Sequence, residues 1–166
     1  MEKEANLEKT HSREKFAVES LETASLLFGY QNKFLKLIEK ALDVRIGCRG
    51  TALNIEGDPP QVAITRRLFE ELHVLVREGY TLYPTDIDYA VRILCADSRV
   101  SLKNIFLDKI FVSTRNKIIA PKSLAQKSYI DSIRNQDIVF GIGPAGTGKT
   151  YLAMAMGISF LLKKEV

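Results

Sequence analysis

Three glycines within six residues, followed at once by a lysine and a threonine, constrain this chain more than any other feature: Gly143-Pro144-Ala145-Gly146-Thr147-Gly148-Lys149-Thr150. Glycine lets the backbone curl tightly enough for several N–H groups to point into one concave space, where a side chain would obstruct an approaching anion. The run matches the phosphate-binding pattern G-x-x-x-x-G-K-[ST], which is diagnostic only between a strand and a helix. The apolar run Ile138-Val139-Phe140-Gly141-Ile142 predicts the strand, and Tyr151-Leu152-Ala153-Met154-Ala155-Met156 through Leu162 predicts the helix. A fold that begins this way is a P-loop nucleoside triphosphatase domain of α/β class.

Each position in the loop has a chemical role. A helix beginning at about Gly148 aims its unpaired N–H groups and the positive end of its dipole at the phosphates. Lys149 supplies a mobile ammonium for the β- and γ-phosphates. Thr150 offers a hydroxyl to Mg²⁺, a hard cation that prefers oxygen ligands. Gly143, Pro144, Ala145, Gly146 and Thr147 form the cradle, and Tyr151 follows it on the helix. Hydrolysis needs more: an Asp on a second strand to hold magnesium and a residue to orient the attacking water. A parallel sheet also needs further strands beside residues 138–142. The chain is therefore expected to be the front part of a longer protein, the alternative being a short protein whose upstream half completes the site.

Length and composition fit one ordinary domain or two small ones: 166 residues, 46% hydrophobic and 27% charged. No apolar run is long enough to span a bilayer, and the charged start Met1-Glu2-Lys3-Glu4 lacks the apolar stretch of a signal peptide. A cytoplasmic protein is the expectation. Cys48 and Cys95 are not spaced as a metal or redox pair and are expected to be buried free thiols. His11 and His73 stand alone. A net charge of +4 permits nucleic-acid binding without arguing for it.

Upstream, Lys15-Phe16-Ala17-Val18-Glu19 predicts a strand, and Leu21 to Phe28 a short helix closed by Gly29. Phe34, Leu35, Leu37, Ile38 and Leu42 recur at helical spacing up to about Asp43. Val44-Arg45-Ile46-Gly47-Cys48 and Ala52-Leu53-Asn54-Ile55-Glu56 flank Arg49-Gly50-Thr51 as a hairpin. Asp58 then caps a long helix with Pro59 first, whose stripe is Val62, Ile64, Leu68, Phe69, Leu72, Leu75 and Val76. This order, strand-helix-helix-strand-strand-helix, resembles a type I KH domain, an α+β module that holds single-stranded nucleic acid. In that family a G-x-x-G loop between the first two helices clamps about four nucleotides. Here the matching loop is Gly29-Tyr30-Gln31-Asn32, followed by Lys33. Asn32 replaces the second glycine; it tolerates positive φ, but its side chain crowds the phosphodiester path. A KH-like fold kept for docking or structure is the other reading of this segment.

A further helix is predicted from Pro84 to Ala96, with Thr85 as cap and Ile87, Ala90, Val91, Ile93 and Leu94 inward. Ser101 to Leu107 is a shorter helical segment, Ile110-Phe111-Val112 a strand, and Ser113-Thr114-Arg115-Asn116-Lys117 a polar linker. The expected domains are a polar leader (1–13), a KH-like domain (14–80), a helical connector and linker (81–117) and the beginning of the P-loop domain (118–166). Gln126 has two readings on spacing alone. It is either a surface residue of an amphipathic helix or an adenine contact, its amide offering a donor beside an acceptor to the Hoogsteen edge, as in superfamily 1 helicase-like ATPases.

Taken together, Phe140 to Ala153, Pro121-Lys122-Ser123 with Gln126, and the segment from Leu42-Asp43-Val44-Arg45-Ile46 to Ile55-Glu56-Gly57-Asp58 resemble the PhoH-like family, the phosphate-starvation-inducible ATPases of bacteria. The resemblance covers nearly the whole chain after residue 14. It implies a cytoplasmic, ATP-binding protein with a helicase-like P-loop core in which Lys149 and Thr150 are the catalytic positions. It also implies a link to RNA metabolism and, in some members, an endoribonuclease partner acting on ribosomal RNA. P-loop ATPases often assemble as homo-oligomers in which a neighbour supplies an arginine. A non-catalytic module acting on RNA or protein through the KH-like half is the alternative.

Overall fold

The computed structural model describes residues 11–112 and 118–165; the expected linker at 113–117 and the charged start of the chain lie outside the described residues. The protein is of mixed α/β class and divides between Val100 and Ser101 into two compact units.

The first unit runs β1 (Ser12–Ala17), α1 (Leu21–Phe28), a single 3₁₀ turn (Tyr30–Asn32), α2 (Lys33–Leu42), β2 (Arg45–Arg49), β3 (Ala52–Gly57), α3 (Pro59–Arg77) and α4 (Pro84–Ala96). The three strands form an antiparallel sheet in the order β1-β3-β2. Phe16 and Cys48 both face Leu53, while Glu14 and Ile46 both face Ile55, so these positions share one side of the sheet. Leu53 and Ile55 are fully buried there, with Leu68, Phe69, Leu72 and Leu75 of α3. The Phe16 ring stacks on Phe69 at 5.6 Å between centroids. On the opposite side of β1, Arg13, Lys15 and Ala17 are exposed. Period-2 alternation in the strands and the 3.6-residue stripe of α3 thus meet in one core.

The boundaries differ from the sequence expectation where pairing or capping decides them. β1 begins three residues earlier than expected, because Ser12 and Arg13 find partners in Gly57 and Glu56. α4 is capped by Tyr83, not Thr85: Pro84 takes the first helical position and the Asp86 carboxylate accepts from the Tyr83 N–H at 3.1 Å. Cys48 and Cys95 are free but exposed rather than buried. Cys48 sits at the turn end of the edge strand β2. Burial of part of that thiol nonetheless pushes its pKa up.

The second unit comprises α5 (Lys103–Phe106), a two-residue antiparallel pair β4 (Phe111–Val112) and β5 (Ile118–Ile119), α6 (Leu124–Asn135) and α7 (Lys149–Lys163). Its core is Ile110, Ile130, Leu152, Ala155 and Met156, with Tyr129, Ile133 and Phe160 packed around them. An ion-pair cluster ties the segment after α5 to α6. Arg134 reaches both Asp108 oxygens, at 2.6 and 2.8 Å, while Lys127 lies 2.9 Å from Asp108 and 2.5 Å from Asp131. Burial works to raise the pKa of the Asp108 carboxyl, but Arg134 and Lys127 together hold it below the usual carboxylate range.

The strand expected at residues 138–142 is absent. The segment is irregular, and Ile138, Phe140 and Ile142 are 76%, 85% and 95% exposed. A strand exists only as a partner in a ladder, and among the described residues none pairs with this segment.

Candidate phosphate-binding site

The loop at residues 143–148 is built by its glycines. Gly148 has φ +86°, a left-handed conformation that β-carbon-bearing residues avoid, and it is the N-cap of α7. The helix starts at Lys149, so α7 points the N–H groups of its first turn and its positive dipole end at the loop. The Thr147 hydroxyl donates to the Pro144 carbonyl at 3.0 Å across the loop. The Lys149 ammonium folds back over it and donates to the carbonyls of Gly143 at 2.9 Å and Pro144 at 2.6 Å, and to Thr147 Oγ1 at 3.1 Å. An ammonium held, among the described residues, by neutral carbonyl and hydroxyl oxygens is a centre of positive charge beside a row of amide donors. That arrangement suits an oxyanion. Thr150, second in α7, is exposed, as is Tyr151.

Gln126 lies at the same place, brought there by α6. Ser123 caps α6 by accepting from the Gln126 N–H at 3.2 Å. The side-chain amide accepts from the Lys122 N–H at 2.6 Å and donates to the Thr147 carbonyl at 3.2 Å. These two partners fix which end of the amide is oxygen and which is nitrogen. A cavity of about 460 Å³ opens beside the loop, with Gln126, Tyr129, Phe140, Gly143, Thr147 and Lys149 in its wall, within the size range of small-ligand sites. Loop, lysine and glutamine, separated by up to 23 positions in sequence, are therefore one site. Sequence reasoning missed Tyr129, whose ring stands where a Cβ on Gly141 would come within 3.1 Å; one tyrosine on a helix gives no periodic or motif signal.

The candidate nucleic-acid loop belongs to the first unit and is treated by itself. Gly29 has φ +74°, and both Gln31 (φ +52°) and Asn32 (φ +59°) are left-handed. Asn32 thus adopts the conformation that the replaced glycine would supply, and its N–H bonds the Gly29 carbonyl at 3.0 Å. Tyr30, Gln31, Asn32 and Lys33 are all exposed, and Lys33 begins α2. Among the described residues no group of three or more His, Cys, Asp or Glu side chains is placed to hold a metal ion. No helix among them is long and apolar enough to cross a membrane.

Residues 118–166 match the family model described as "PhoH-like protein". A PhoH-like protein of Mycobacterium bovis is 40% identical over 140 residues, covering 84% of this chain and 40% of the relative. A PhoH-like protein of Bacillus subtilis is 36% identical over 135 residues, covering 81% of this chain and 42% of the relative. One from Synechocystis is 27% identical over 146 residues, covering 88% and 44%. The chain spans about two fifths of the length of the relatives it matches. No solved structure matches it at a significant level.

Proposed function

The chain belongs to the PhoH-like family, and from that membership we propose that its second unit binds ATP with Mg²⁺ through residues 143–150, as part of an RNA-associated ATPase. The observation that carries the reading is the Lys149 ammonium held over a glycine loop at the N-terminus of α7. The donors fit a polyphosphate: backbone N–H groups and a helix dipole for its charged non-bridging oxygens, and one mobile cation for the β- and γ-phosphates. Thr150 is the residue that would share Mg²⁺ with the phosphates. The ion, when bound, neutralises charge on the β- and γ-phosphates. The protein residues position the triphosphate and keep it oriented. Nucleotide binding is the function proposed for this chain.

Competition against a fluorescent ATP analogue tests this reading. ATP and inorganic triphosphate should both displace the analogue, and AMP at the same concentration should not, because the donors address phosphates. Displacement by AMP as readily as by ATP would contradict it.

A second reading concerns the first unit. Its strand order β1-β3-β2, with a glycine-initiated left-handed loop and an exposed Lys33, supports a KH-like module that takes single-stranded RNA along the loop. Phosphate contacts by Lys33 and exposed N–H groups would supply affinity there without reading sequence.

A further inference from the structure

We infer that Gln126 is a positioning residue that latches the phosphate loop to the start of α6, and that it acts on the loop rather than on the base. This rests on the reading of residues 143–150 as a triphosphate site.

The geometry assigns the role. The Gln126 amide joins two backbone groups 25 residues apart, the Lys122 N–H at 2.6 Å and the Thr147 carbonyl at 3.2 Å. Both ends of the amide that would read adenine's Hoogsteen edge are already engaged with protein. A trans peptide is planar, with its C=O and N–H pointing in opposite directions. Anchoring the Thr147 carbonyl to Gln126 therefore turns the next N–H, that of Gly148, away from α6. Gly148 is suited to this twice over. Its φ of +86° sets the turn into α7, and its missing Cβ leaves room for the amide, since a Cβ would stand 3.3 Å from Gln126 Nε2. The remaining contacts of Thr147 also converge on the loop: its hydroxyl donates to Pro144 and accepts from Lys149. One side chain outside the loop thus fixes the peptide on which the loop's internal contacts hang. A loop fixed before the ligand arrives loses less conformational freedom on binding, whatever base the ligand carries.

Two measurements on the full chain test the latch. The first needs no nucleotide: hydrogen exchange of the Lys122 amide, which donates to Gln126, and of the Leu152 amide, which donates to the Gly148 carbonyl beside the latched peptide at 2.9 Å, in wild type, Gln126→Ala and Gln126→Glu. Gln126→Glu keeps an acceptor for the Lys122 N–H and removes the donor to Thr147. The Leu152 amide should exchange roughly two- to tenfold faster in both variants, the effect of one net hydrogen bond, with the amides of the middle of α7 unchanged. The Lys122 amide should stay protected in Gln126→Glu alone. Unchanged Leu152 exchange in both variants would overturn the inference. The second is affinity for Mg·ATP, Mg·GTP and inorganic triphosphate. All three should weaken by the same factor in Gln126→Ala, and a loss confined to ATP would overturn the latch in favour of a base contact. Failure of wild type to bind any of the three would remove the triphosphate reading, while the exchange measurement would still decide whether the latch exists.

Discussion

The Lys149 ammonium donates to the Pro144 carbonyl at 2.6 Å, closing the phosphate loop over its own backbone. The bond joins a side chain to a carbonyl five residues back, and it is available only because Gly146 and Gly148 both take positive φ between them. Charge and loop shape are thus set by the same few residues.

Gly29 is a packing requirement as well as a turn. A Cβ there would lie 2.9 Å from the Phe34 ring, and the backbone is at φ +74°. Gly29→Ala should destabilise the first unit by about 1–3 kcal/mol, from left-handed strain and overpacking together. Urea denaturation checks this, and an unchanged midpoint would show that Phe34 moves aside freely.

Lys33→Ala should weaken binding of single-stranded RNA by a similar factor for unrelated sequences. It should also reduce the slope of log affinity against log salt by about 0.7, the value of one phosphate contact on a single strand. Filter binding at several salt concentrations measures both. An unchanged slope would remove Lys33 from the RNA path.

Much of this was legible from the chain. The α3 stripe, the glycine that ends α1 and the loop motif rest on local patterns, and local patterns survive folding. The strand at residues 138–142 did not form, because its existence depends on partners that no local pattern supplies. The bond between Gln126 and Thr147 was equally invisible, since spacing cannot say which way an amide on a helix turns. Spacing alone left Gln126 open between a surface position and an adenine contact, and its side-chain partners here are backbone groups.

Acid should loosen the second unit. The Asp108 carboxyl is held below its ordinary range by Arg134 and Lys127 despite the opposing effect of burial. A group depressed in the folded state contributes stability above its unfolded pKa of about 4, and that contribution is lost as pH falls from there toward the folded value. Asp108→Asn should remove this part of the pH dependence and lower stability at neutral pH by about 2 kcal/mol, the scale of charged hydrogen bonds. Thermal melts from pH 3 to 7 check it, and identical pH profiles for the two proteins would contradict it.

Phe140 is 85% exposed, so Phe140→Ser should leave the unfolding midpoint of this chain within about 0.5 kcal/mol of wild type. A large loss would mean that the segment before the loop is packed in solution.

Isothermal titration of the wild-type chain and Lys149→Ala with Mg·ATP tests the phosphate site most directly. Wild type should bind one equivalent, and the variant should bind roughly 10- to 100-fold more weakly, as expected when charge-assisted hydrogen bonds are lost, with its circular dichroism unchanged. Equal affinity in the two proteins, or no binding by wild type, would contradict the assignment.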